Sequence, residues 1–312
     1  MFRLKIYNYD PYRLPIRFGD HSGFPDEQSC IEYLEETRWE GNPVSPFDPT
    51  SKVYKCKGNR YYCKNTGKYF NVRTGTLFDG TKIPLQKWFI AIWLLASHKK
   101  GVPSRQLARD IGVTQKTAWF MLHRIRGCYA DLDTTLSGEV EMDETFVGGK
   151  NKNRHRDKKV PVCRGRAHID KTPVLGMVER GGRIVAQVIP DTSQRSITPV
   201  VCQRVDRSAT VYTDEWQGYD TIAKLYSRFF VDHSRGQYAS GNVTTNRIEG
   251  FWGILKRGII GVYQMTSRKH LQRYVDEFVW RYNLRKHPSI GFYSFLCNIE
   301  HRTRYRELVY GN

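Results

Sequence analysis

The stretch Glu139-Val-Glu-Met-Asp-Glu-Thr-Phe-Val-Gly-Gly149 constrains the fold of this chain more than any other. Val140, Met142, Phe146 and Val147 supply the apolar and β-prone positions of a strand, and the two glycines close it into a turn. Acidic residues alternate with the apolar ones. A carboxylate on a strand bound for a core is costly unless something pairs with it, so Asp143, at mid-strand, calls for a cation. Two later stretches point the same way. Thr210-Val-Tyr-Thr-Asp-Glu-Trp216 is a second β-prone run that carries Asp214, and residues 244–257 form a helical pattern that carries Glu249. Three carboxylates converging from separate elements can hold two Mg²⁺ (or Mn²⁺) ions, which activate a water or hydroxyl and stabilise in-line displacement at a phosphodiester.

The helical stretch bears an angular test. At about 100° per residue, Ile248, Phe251, Trp252 and Leu255 form one apolar stripe. Asn246, Glu249 and Lys256 lie together beside it. A helix docked by its stripe aims these three along one rim, where Lys256 suits a DNA phosphate near the reacting bond.

Charge identifies the class of partner. Fifty Lys and Arg against 31 Asp and Glu leave a net charge of +19, and polyanions, double-stranded DNA above all, are the natural partner. Aromatic residues are frequent, with 19 Tyr, 15 Phe and 7 Trp, which argues for packed domains and against a disordered basic tail. Seven scattered cysteines make no disulfide framework and suit a reducing cytoplasm. The most apolar run, Trp88 to Ala96, is too short to span a bilayer and reads as a buried helix. A cytoplasmic, nucleoid-associated protein without a membrane segment is expected.

The chain divides by pattern. Residues 1–23 read as an N-terminal extension. A helix ending at Trp39 and two hairpins occupy 24–80, and 81–130 are helical. In that helical region Leu107, Ala108 and Ile111 face inward, Gly112 makes a turn, and Thr114 caps a second helix that buries Ala118, Met121, Leu122 and Ile125. This second helix shows Gln115, Lys116, Thr117, His123 and Arg124; the spacing is that of a helix-turn-helix with a polar N-terminal turn suited to a major groove, and Gln115, Lys116, Thr117 and Arg124 are expected to face DNA. From 137 to 287 strands and helices mix: three strands, a helix over 193–205, the Asp214 strand, a helix from Tyr219 to Phe229, a short strand Phe230–His233, and two further helices. A mixed sheet flanked by helices, an α/β domain, follows. The basic run after the first strand, with Lys150, Lys152 and Arg154, suits contact with a phosphate backbone. Residues 288–312 read as a C-terminal tail.

These motifs carry a resemblance. Glu-Met-Asp-Glu-Thr-Phe-Val-Gly-Gly, Val-Tyr-Thr-Asp-Glu-Trp-Gln-Gly-Tyr, Asn-Arg-Ile-Glu-Gly-Phe-Trp-Gly-Ile-Leu-Lys-Arg-Gly and Arg-Tyr-Asn resemble DDE-type insertion-sequence transposases of the insertion-sequence-fifteen-ninety-five group, as do Leu-Ala-Arg-Asp-Ile-Gly-Val and Lys-Thr-Ala-Trp-Phe-Met-Leu-His-Arg-Ile-Arg upstream. The resemblance covers roughly residues 24–287. It implies a ribonuclease-H-like domain with Asp143, Asp214 and Glu249 as the metal-binding triad and Lys256 as the associated basic residue. Asn246 is a possible contributor in place of the third carboxylate. The implied activity is cleavage of DNA strands and joining of 3′-hydroxyl ends to target DNA, by a homo-oligomer on DNA. The family also carries a zinc ribbon of two Cys-x-x-Cys pairs. Here its positions fall on Ser45, Asp48, Cys63 and Thr66, so three of four thiolates are gone and zinc is not expected. Apolar packing among Val53, Tyr54, Tyr61, Tyr62, Tyr69, Phe70 and Val72 is expected to hold the hairpins instead. Three alternatives stay open: a domesticated DNA-binding regulator, which needs no triad; a structure-specific nuclease of the same fold, which cleaves without joining; and a zinc-ribbon interaction module, which needs the missing cysteines.

Overall fold

The structure, a computed structural model, describes residues 24–130, 134–149, 155–159, 171–231, 244–287 and 290–310. They divide into two units, one drawn from residues 1–129 with 287–312 and the other from 130–286.

In the first unit, Asp26 opens helix α1 (Glu27–Trp39) with a reciprocal cap: its carboxylate accepts the Ser29 N–H, and the Ser29 hydroxyl accepts the Asp26 N–H. Strands β1 (Val53–Cys56), β2 (Arg60–Cys63) and β3 (Tyr69–Phe70) follow as an antiparallel sheet. Strand alternation sorts its aromatic residues. Tyr61 and Phe70 stack on the inner face and meet Trp39 edge-on. Tyr54 and Tyr69 lie on the outer face, 42% and 57% exposed, away from the inner cluster, although the Tyr69 ring packs on that of Tyr62 as expected. The zinc-ribbon positions form a hydrogen-bonded knuckle. Ser45 Oγ accepts the Phe47 and Asp48 N–H groups at 3.2 and 3.3 Å, and Asp48 accepts from Thr50 and Asn65. Burial raises the Cys63 thiol, but hydrogen bonds from Ser45, Ser51 and Thr66 outweigh it and bring the group down to about 7.

Helices α2 (Leu85–Ser97), α3 (Ser104–Ile111) and α4 (Gln115–Gly127) come next. Gly112, at φ +62°, takes the left-handed conformation that ends α3, and Thr114 accepts the Thr117 N–H to start α4. The C-terminal segment is part of this unit, not a tail. In it, α9 (Gly291–Leu296) and α10 (Tyr305–Tyr310) frame the buried residues Phe292, Phe295, Leu296 and Ile299. The Leu77 N–H donates to the Ile299 carbonyl at 3.0 Å, and Asn298 Nδ2 donates to the Cys128 carbonyl at 3.1 Å. An apolar stripe at Phe292, Phe295 and Leu296 needs cover, and α2 supplies part of it through Phe89.

The second unit is built on β4 (Glu139–Val147), β5 (Thr172–Glu179), β6 (Ile184–Val188), β7 (Thr210–Asp214) and β8 (Ser227–Val231). Among the described residues the sheet runs in the order β6-β5-β4-β7-β8. Antiparallel pairs join β4, β5 and β6, and parallel pairs join β4, β7 and β8. This is the expected mixed sheet of an α/β domain. Helices α5 (Gln194–Arg204) and α6 (Asp220–Leu225) cover one face over Val140, Met142 and Met177; α7 (Asn246–Gly258) and α8 (Leu271–Asn283) cover the other over Val174 and Val178. The helix expected from Tyr219 to Phe229 is shorter: a 3₁₀ turn at Gln217–Tyr219 leads into α6, and Arg228-Phe-Phe-Val pairs as β8 because strand partners outweigh helical spacing. Phe230 therefore lies in β8, while 232 and 233 lie outside the described residues. No helix among the described residues is long and apolar enough to cross a membrane.

Gly176 sets how closely α7 approaches. A Cβ there would lie 2.5 Å from the Trp252 ring and 2.6 Å from Ile248 Cδ1. Gly250, on α7 itself, has nothing within 4 Å of a built Cβ. Gly176→Val is expected to destabilise this unit by about 1–3 kcal/mol through overpacking, whereas Gly250→Ala stabilises it by up to about 1 kcal/mol through helix propensity. Denaturant unfolding of the two variants checks the opposite signs.

Candidate active site

Position on β4 decides what each carboxylate meets. Asp143 pairs across the ladder with Gly176, so both point at α7. The bare glycine lets Trp252 lie against the sheet, and its Nε1 donates to Asp143 Oδ2 at 2.9 Å. The parallel register matches Glu141 with Tyr212, and two residues farther along each strand stand Asp143 and Asp214. Asp214 is buried at the end of β7; its Oδ1 accepts the Trp216 N–H at 3.0 Å and its carbonyl accepts Arg228 Nη2 at 2.9 Å.

Oxygens of Asp143, Glu144 and Asp214 lie within 4.8 Å of one another. Phe146, Thr192 and Trp216 complete the lining of their cleft. Burial, then the nearby Asp214 charge, raises the Asp143 carboxyl to about 6; Glu249 raises it further, against the hydrogen bonds from the Glu144 backbone and Trp252. Tyr219, fully buried beneath, is held well above its usual range by burial and then by the charges of Glu144, Asp143 and Asp214. Glu249 lies in the first turn of α7, where Thr245 Oγ1 donates to its Oε1 at 2.9 Å. It stands outside the tight oxygen group but within electrostatic reach of Asp143. Three carboxylates that crowd one another offer an all-oxygen donor set, which fits a hard divalent cation such as Mg²⁺ or Mn²⁺.

The structure thus brings Asp143 and Asp214 together, with Glu249 beside them. Asn246 and Lys256 lie exposed on α7, at its first residue and two turns beyond Glu249. Lys150, Lys152 and Arg154 lie outside the described residues. Glu144 was not singled out from the sequence, because strand alternation assigns it to the opposite face from Asp143; the signal was its place beside Asp143 in a run of acids. Glu141 and Arg180 were missed as well. Glu141 is 1% exposed, and Arg180 Nε meets its Oε1 at 3.1 Å.

In the helix-turn-helix, Gln115 and Lys116 are exposed and Thr117 half-buried at the start of α4. Gln115 Nε2 donates to Ser104 Oγ at 2.9 Å, and the Lys116 ammonium sits over the Tyr305 ring. Arg124 is not presented to solvent. It is buried and donates to the carbonyls of Thr303, Leu77 and Asp79 at 3.0, 2.7 and 2.9 Å. His123 is fully buried too. The helical-wheel expectation fails for both, and for Arg124 the reason is that residues 77–79 and 303 cover a side of α4 that the pattern assigns to water.

The raised carboxyl has a consequence for stability. The folded state binds the Asp143 proton more tightly than the unfolded chain, so its contribution is full below about pH 4 and is lost as pH rises through about 6. Without metal, Asp143→Asn is expected to be more stable than the wild type at pH 8, by at most about 3 kcal/mol, and the gap closes near pH 4. Added Mn²⁺ should stabilise the wild type and not the variant. Guanidinium unfolding at the two pH values, with chelator and then with Mn²⁺, measures both effects.

Residues 135–283 match the family model of the ISXO2-like transposase domain. An uncharacterized protein in transposable element ISH50 of Halobacterium salinarum is 28% identical over 280 residues, covering 85% of this chain and 94% of its own. An uncharacterized transposase-like protein of Haemophilus influenzae is 26% identical over 102 residues, 32% of this chain and 81% of its own. Among solved structures, the Mos1 strand transfer complex aligns at 13% identity over 68% of this chain and 74% of that one, with a TM-score of 0.27. A pre-cleavage Mos1 transpososome aligns at 14% identity over 89% and 94%, with a TM-score of 0.24. Over residues 135–283 the chain is thus similar to ISXO2-like transposase domains.

Proposed function

We propose that this protein is a transposase that cleaves DNA strands at the ends of its element and joins the freed 3′-hydroxyls to target DNA, acting as a homo-oligomer on the DNA. The meeting of Asp143, Glu144 and Asp214 in one cleft, with Glu249 raising Asp143 from the neighbouring helix, is the observation that supports this reading most. Asp143, Asp214 and Glu249 would hold two Mg²⁺ or Mn²⁺ ions, which supply Lewis-acid activation of a water or hydroxyl and stabilise in-line displacement. The chain's own groups do the positioning. Trp252 fixes the Asp143 carboxylate and Thr245 fixes that of Glu249. Lys256 offers an ammonium to a phosphate beside the reacting bond, and Asn246, Lys150, Lys152 and Arg154 serve the DNA backbone. Gln115, Lys116 and Thr117 read DNA from α4. Arg124, committed to three carbonyls, has no part in it.

The test uses duplexes bearing the flanking element ends, with Mg²⁺. The wild type is expected to yield joined products. Asp143→Asn, Asp214→Asn and Glu249→Gln each reduce joining by on the order of a thousandfold and leave duplex binding intact. Cleavage without joining would make the protein a nuclease, and end binding without cleavage would make it a regulator.

Replacing Gln115, Lys116 and Thr117 together by Ala should weaken binding to element ends more than to random duplex, by about 1–3 kcal/mol for each base edge that is no longer read. Equal losses on both DNAs would reduce these residues to phosphate binders. Binding should also fall steeply with salt, as expected for a chain of net charge +19.

A further inference from the structure

The N-terminus of α7 is tied down by a strand. Thr245 precedes the helix without a side-chain cap, and the N–H groups of Arg247 and Ile248 donate to Glu141 Oε2, at 2.9 and 3.4 Å. Those N–H groups belong to the first turn, where a helix has no partners of its own and where a negative charge is favoured. Arg180 holds the other oxygen of Glu141. Its Nη1 meets Glu139 Oε2 and its Nη2 donates to the Thr244 carbonyl, both at 3.3 Å. Its guanidinium lies 3.9 Å from the centroid of the Tyr212 ring, and the Tyr212 hydroxyl donates to Glu139 Oε1 at 2.7 Å.

Sequence offsets give this network its meaning. Glu141 lies two residues before Asp143 on β4, Tyr212 two before Asp214 on β7, and Arg247 two before Glu249 on α7. The three elements that carry the candidate metal ligands are thus joined at one point, two residues from each ligand. Glu141, buried and bonded on both oxygens, is occupied and does not face the cleft as a ligand.

We propose that Glu141 and Arg180 form a positioning clamp that sets the spacing of Asp143, Asp214 and Glu249 for divalent metal. The proposal rests on the reading of these three as a metal site. Loosening a group that orients metal ligands typically costs ~10–100-fold in metal affinity. Glu141→Gln keeps the shape and loses the charge that holds Arg180 and the helix N–H groups. Arg180→Lys keeps a positive charge but cannot reach Glu139, Glu141 and Thr244 together.

The experiment is a calorimetric titration of the full chain with Mn²⁺, beside the dependence of strand cleavage on Mn²⁺. Asp143→Asn should lose Mn²⁺ binding. Glu141→Gln and Arg180→Lys should fold and bind Mn²⁺ ~10–100-fold more weakly, with kcat largely recovered at high Mn²⁺; a merely structural role would lower the yield of active protein without moving the metal dependence. If Asp143→Asn binds Mn²⁺ like the wild type, the metal reading fails and the clamp with it. If Asp143→Asn loses binding while both clamp variants keep wild-type affinity, the clamp alone is overturned. Amide exchange on the wild type decides the matter if neither clamp variant folds: slow exchange at Arg247 and Ile248 is expected, and exchange as fast as at an open helix end overturns the clamp.

Discussion

Burying carboxylates on the central strand of a sheet is the constraint on which the second unit depends. A charge taken out of water costs several kcal/mol unless partners replace its hydration. Strand β4 meets this cost in two ways within three residues. Glu141 is matched on both oxygens, by Arg180 and by the N-terminal turn of α7. Asp143 receives an indole N–H but also faces Asp214 and Glu249, and its carboxyl is held at about 6. The first solution yields a fixed joint. The second leaves a group that gains from any cation able to sit among the acids.

Helix α7 converts this strand chemistry into geometry. Its apolar stripe, Ile248, Phe251, Trp252 and Leu255, is buried against the sheet and α8. Close approach is possible because Gly176 presents no side chain beneath Trp252. Docking by the stripe fixes the rotation of the helix about its axis, and the Glu141 bonds fix its N-terminal end. Rotation and end position together place Glu249. Another buried carboxylate, Glu277 on α8, is matched by Arg281 and by the Tyr263 hydroxyl, so the helical layer repeats the rule that a buried acid is paired.

Much of this was legible in the sequence, because period and spacing report local structure directly. The alternation in 139–147, the stripe at 248–255 and the Gly112 turn each predicted an element that formed. What the sequence hid was the meeting of distant segments. A helical wheel assigns Arg124 to water, and only the return of residues 299–303 to the N-terminal unit reveals it as a staple among three carbonyls. Arg180 sits beside a hairpin turn, where a cation is unremarkable until Glu141, Tyr212 and Thr244 are seen around it. Phe229 had a helical neighbourhood in sequence but a strand partner in space, stacked on Tyr212. Residues with several compatible local states are settled by their partners, and partners are not periodic.

The sign of charge adds a last constraint on the proposed reaction. The chain carries +19 overall, which draws a polyanion from a distance. The cleft at Asp143, Glu144 and Asp214 is locally negative and repels the very phosphate it would act on. These tendencies are reconciled if cations enter the cleft before or with the DNA. Phosphate oxygens and carboxylates then share the same ions, and metal and DNA each strengthen the binding of the other, by an equal factor in both directions. On the proposed reading, an acidic site on a basic protein would act as a coincidence detector in plain electrostatic terms: the surface would hold DNA without metal, and the reacting bond would be held only when both are present.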